Sequence, residues 1–144
     1  TVFSNKFQHQ IAILLSARDR IDFLLNDIEG VLQSNLFYHE IEIAEELLKK
    51  NHLRAAGALA GVSLEVHLSR VCDNHSIKLK TKNPHISDYN NALKEENIFD
   101  IPNWRHIQHL GDIRNLCVHK GREPTKEEID TLISGTKKIF STIF

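Results

Sequence analysis

Apolar residues recur along the first part of the chain in alternating steps of four and three: Phe7, Ile11, Leu14, Ile21, Leu25, Ile28 and Leu32, with Arg18 standing where one further apolar residue is due. That is the period of a long amphipathic helix. Ser4 is its candidate N-cap, and Gly30 followed by Gln33, Ser34 and Asn35 predicts an end or a bend near residue 34. A second helix is expected from Leu36 to Lys50, burying Phe37, Ile41, Ala44 and Leu48, with Lys49, Lys50 and Asn51 as stop signals. A third spans Leu53 to Cys72. Gly57 and Gly61 lie one turn apart within it, and because two glycines weaken a helix they predict close approach of another backbone.

From His75 to Ile86 the periodicity lapses, and Lys78, Lys80, Lys82 and Pro84 suggest an exposed basic loop. Ser87 is placed to cap a short helix through Glu96. Pro102 then introduces a helix over Asn103 to Lys120, which Gly121 stops. Pro124, Thr125 and Glu128 form a capping-box start for a last helix with Ile129, Leu132, Ile133, Ile139 and Phe140 on its apolar side. No stretch alternates as a strand does, so the fold class is all-α, a helical bundle in a single domain over residues 1–144.

Composition narrows this picture. At 144 residues with 41% hydrophobic and 26% charged positions, the chain is long enough for one core and unlike a disordered segment. A net charge of -1 supplies no global attraction for a polyanion, so nucleic-acid binding would have to be local. The longest apolar run, Ile11 to Leu15, is too short to span a membrane, and no charged-then-apolar leader is evident, which predicts a cytoplasmic protein. Cys72 and Cys117 sit within apolar helical patterns, where free cysteine behaves as a small buried hydrophobe.

The helix carrying Trp104, Ile107, Leu110, Ile113 and Cys117 also carries Arg114, Asn115 and His119 near its end. A guanidinium offers a planar fork of donors to phosphate and an imidazole exchanges a proton near neutral pH, a pair suited to metal-independent cleavage of an RNA phosphodiester. Residues five apart on an ideal helix point about 140° away from each other, which opposes the pairing. Pairing is rescued only if the long arginine stem reaches around and His119, expected in the last turn, swings back. A plain structural account also exists: an arginine paired with a neighbouring carboxylate, and a histidine complementing the helix dipole.

The segment IRNLCVHKGREPTKEEIDTLISGTKKIF resembles the C-terminal end of a HEPN domain, whose signature is an arginine, usually a polar residue next, and a histidine after four to six intervening positions. The upstream LLKKNHLRAAGALAGVSLEVHLSRVC is similar to the small-residue helix of the same superfamily, so the resemblance covers roughly Ile41 to Phe140. It implies an antiparallel bundle of five to six helices that forms a homodimer, with two Arg-Asn-His sets meeting in a cleft. It also implies an endoribonuclease in which His119 moves a proton, Arg114 stabilises phosphate charge, Asn115 holds the phosphate or the imidazole, and Glu65 orients Arg114. No cofactor or metal is implied. Such members belong to bacterial toxin, phage-defence or RNA-processing systems, with RNA as substrate and a cognate antitoxin or an adjacent domain as further partners. Others in the superfamily bind nucleotides or serve as non-catalytic dimerisation modules, and that is the alternative.

Three further signals carry less. His106 and His109 near Asp112 have helical spacing for two metal ligands but lack a specified third and fourth, so no metal is assigned. The alternating lysines, with Trp104, Arg105 and His106, are candidates for an RNA path but are more simply solvated surface. The first helix, with an apolar stripe of about seven turns, either packs within the chain or docks on a second copy, an adjacent domain or an inhibitor.

Overall fold

A computed structural model describes all 144 residues as five helices: α1 (Val2–Lys49), α2 (Leu53–Asn74), α3 (Ile86–Glu95), α4 (Ile101–Val118) and α5 (Lys126–Thr142). The all-helical class and the bundle follow the sequence pattern. The chain divides into two compact units, Thr1–Tyr38 and His39–Phe144. No helix is long and apolar enough to cross a membrane.

Apart from Thr1 the first unit lies within α1, and the predicted break near residue 34 does not occur: Gly30 and residues 33–35 are helical. One glycine costs a helix only about 1 kcal/mol relative to alanine, and neither proline nor a left-handed residue is present to enforce a stop. Gln33 instead donates to Glu29 one turn back at 3.0 Å. The helix also starts earlier than expected, at Val2, with the Ser4 amide donating weakly to the Thr1 hydroxyl at 3.4 Å. Every residue from Thr1 to Glu29 is exposed.

In the second unit, α2 packs against α3, α4 and α5, and α4 packs against both α3 and α5. The core is drawn from faces that the apolar period marks, Ile41, Ala44 and Leu48 at the end of α1, Ile107 and Leu110 on α4, Ile129 and Leu132 on α5, together with Leu64 and Leu68 from α2 and Leu93 from α3. Glu40 accepts from the Ser63 hydroxyl at 2.7 Å, and Lys137 pairs with Glu45. Three helices close on left-handed residues, Asn51, Ser76 and Asn97. At each, two amides reach back to the last turn; at the end of α1 these are Asn51 N–H to Leu48 O and His52 N–H to Leu47 O, both 2.9 Å. This pattern satisfies carbonyls that a helix end otherwise orphans.

Starts follow local chemistry too. Thr125 and Glu128 form the expected capping box on α5. On α4 the cap is Asp100, accepting from the Asn103 amide at 2.9 Å, with Pro102 just inside. On α3 the cap is His85 rather than Ser87, its amide donating to Asp88 at 2.8 Å. The close approach predicted at Gly57 and Gly61 is real but comes from side chains of α4 and α5, not from a backbone: a Cβ on Gly57 would press on Cys117 Sγ and lie 2.7 Å from Ile129 Cδ1.

Candidate active site

Gly61 shapes the site. A Cβ there would collide with Arg114 Cγ and lie 3.1 Å from Arg114 Cβ, so the missing side chain is the notch in which the arginine stem rests. One turn along the same face of α2, Glu65 places Oε2 3.6 Å from Arg114 Nη2. The two side chains are 27% and 19% exposed, a partly buried pair in which attraction is less screened than at the surface. Arg114 Nη1 donates to Asn115 Oδ1 at 3.3 Å. Arg114 Nε and Glu65 Oε2 are buried with no hydrogen-bond partner in the protein, Oε2 meeting the guanidinium only through the 3.6 Å ion pair.

His119 lies outside α4. It is the C-cap, extended at φ -102°, ψ 154°, and not part of a frayed last turn as the sequence suggests. The 140° objection therefore lapses, because helical spacing no longer dictates where its side chain points. Arg114, Asn115 and His119 line a common cleft of about 390 Å³ whose other walls include His85, Asn90, Gln108 and Asp112.

Two residues that the sequence reading did not single out complete the arrangement. Arg54, in the first turn of α2, donates to Leu116 O at 2.8 Å, His119 O at 3.0 Å and the carbonyls of Gly121 and Arg122 at 3.3 Å, and pairs with Glu123 at 2.8 Å. It thus caps α4 from a distant element and holds the His119 backbone. His85 is exposed in the cleft, its Nδ1 4.0 Å from Glu65 Oε2. Neither had a local signal: an arginine beside a helix start and a histidine in a loop are unremarkable until the chain folds.

The weaker candidates resolve differently. The Trp104 indole donates to Asn91 at 2.9 Å beneath the Lys94 ammonium, 3.8 Å above its ring, so it ties α3 to α4. His106 leans toward Gly135 of α5 while His109 is exposed, and no three His, Cys, Asp or Glu side chains are grouped to hold a metal ion. Lys78, Lys80 and Lys82 are exposed and none lines the cleft. Cys72 and Cys117 are free and buried; burial raises both thiols, that of Cys72 to about 11. The chain matches no protein-family model, no curated protein and no solved structure.

Proposed function

We propose that this cleft cleaves RNA phosphodiesters without a metal, as a HEPN-type endoribonuclease acting as a homodimer. The observation that carries the reading is the convergence of Arg114, Asn115 and His119 on one cleft, with Arg114 seated in the Gly61 notch and anchored by Glu65. The RNA 2′-oxygen attacks the adjacent phosphorus, the bond to the 5′-oxygen breaks, and the products are a 2′,3′-cyclic phosphate and a 5′-hydroxyl. The proton lost by the 2′-hydroxyl and the one gained by the 5′-oxygen pass through His119 and, on this geometry, His85 as its counterpart. Arg114 meets the charge that builds on the non-bridging oxygens, with Asn115 in support. Glu65 positions Arg114, and Arg54 positions His119.

A toxin, phage-defence or RNA-processing role inside the cell, with a cognate antitoxin or adjacent domain as partner, belongs to the same proposal and rests on the family resemblance. The second reading is a non-catalytic module for nucleotide binding or dimerisation, favoured by the exposed apolar residues of Thr1–Tyr38. The two separate on a mixed pool of single-stranded and structured RNA in EDTA, with the native chain compared with Arg114→Ala and His119→Ala. Cleavage by the native chain to cyclic-phosphate ends, reduced on the order of a hundred- to ten-thousandfold in His119→Ala, supports the first. Absence of cleavage, or equal cleavage by all three, removes it.

A further inference from the structure

Sixteen of the twenty-three exposed large apolar side chains lie between Val2 and Tyr38, on one helix, and seven of the sixteen form the stripe from Phe7 to Leu32. Leu14, Leu25 and Leu32 are 69%, 58% and 62% exposed. Exposed apolar surface on this scale marks an interface. The stripe from Phe7 to Leu32 keeps a 3.5-residue period over about 39 Å, the period that lets two helices coil around each other in a left-handed sense.

We infer that Thr1–Tyr38 pairs with the same segment of a second copy, in the antiparallel direction. The order of four- and three-residue steps reads the same from either end. Reversed against itself about the midpoint between Asp19 and Arg20, the stripe sets Phe7 opposite Leu32, Ile11 opposite Ile28, Leu14 opposite Leu25 and Arg18 opposite Ile21.

Charge selects the direction. Thr1–Arg20 carries Lys6, Arg18 and Arg20 against Asp19 alone, whereas Ile21–Tyr38 carries Asp22, Asp27 and Glu29 and no lysine or arginine. Parallel pairing in register lays the basic half on the basic half and buries Arg18 against its own copy in the seam. Antiparallel pairing lays basic on acidic and brings Arg18 beside the partner subunit's Asp22. A single charged residue in an otherwise apolar seam sets register and orientation in helical pairs of this kind.

The inference concerns α1 and shares only the dimeric state with the ribonuclease reading: a monomeric native chain removes both, whereas a failed cross-linking or charge-swap pattern removes only the pairing of α1. The full chain should sediment at no less than twice its 16.5 kDa mass, and Leu25→Glu, an exposed position, should lower that mass or loosen the association at least about tenfold with unchanged helical circular dichroism. Oxidising a mixture of Leu14→Cys and Leu25→Cys chains should join unlike chains, and neither variant should join to itself. Arg18→Asp and Asp22→Arg should each weaken the dimer by on the order of tenfold, and the double variant should recover most of that loss. A monomeric native chain, an association that Leu25→Glu leaves unchanged in mass and affinity, a Leu14→Cys disulfide between like chains, or a double variant no better than the singles overturns the inference.

Discussion

Replacing Arg54 with alanine should be among the most damaging single changes outside the core. Its guanidinium makes two short hydrogen bonds, to Leu116 O and His119 O, and longer ones to Cys117, Gly121 and Arg122 carbonyls. A hydrogen bond to a charged group contributes about 1.5–3 kcal/mol when buried. The side chain is 33% exposed, so the low end applies to the two short bonds, and the longer ones add little. The ion pair with Glu123, itself 73% exposed, adds about 0.5 kcal/mol or less. The total is about 3 kcal/mol, equivalent to a melting temperature lower by about 10 °C for a chain of this size. Urea unfolding followed through Trp104, the sole tryptophan, measures it. Arg54→Lys keeps the charge but loses the fork, so it should lose about half as much. A change under about 1 kcal/mol for Arg54→Ala, or lysine as damaging as alanine, would show that these carbonyls are equally well served by water and that the clamp contributes nothing. On the proposed chemistry, Arg54→Ala should also slow cleavage well below its melting temperature, because His119 loses the contact that fixes its backbone.

Gly61→Ala gains helix propensity but drives a methyl into the root of the Arg114 stem, so stability should fall by roughly 1–2 kcal/mol net while RNA cleavage falls on the order of a hundredfold; full activity would refute the notch. Burial depresses the His67 pKa, with the Ile143 carbonyl at 2.8 Å partly opposing and Arg70 assisting. The unfolded chain then binds a proton that the native fold refuses, so stability is full above about pH 6.5 and declines as the pH falls from there toward the depressed value. Melting temperatures at pH 7.5 and 5.5 should differ less in His67→Asn than in the native chain, and an equal difference would exclude His67 as the cause.

Helix identity was legible in the sequence because it depends on local period and on caps a few residues away. The buried Ile41, Ala44 and Leu48, the apolar faces of α4 and α5, Pro102 at the head of α4 and the Thr125–Glu128 box all appear where the pattern puts them. The continuity of α1 was misread because glycine and polar residues permit a break without requiring one. Arg114, Asn115 and His119 could be named from their order along the chain, and Glu65 from the family resemblance.

Their geometry could not be named in the same way. That His119 leaves the helix, that Gly61 is a notch for Arg114, that Arg54 closes the end of α4 and that His85 faces the same cleft each depends on residues far apart in sequence. Periodicity encodes which face of an element is apolar. Which groups meet across those faces is decided only when packed helices bring their ends to one place.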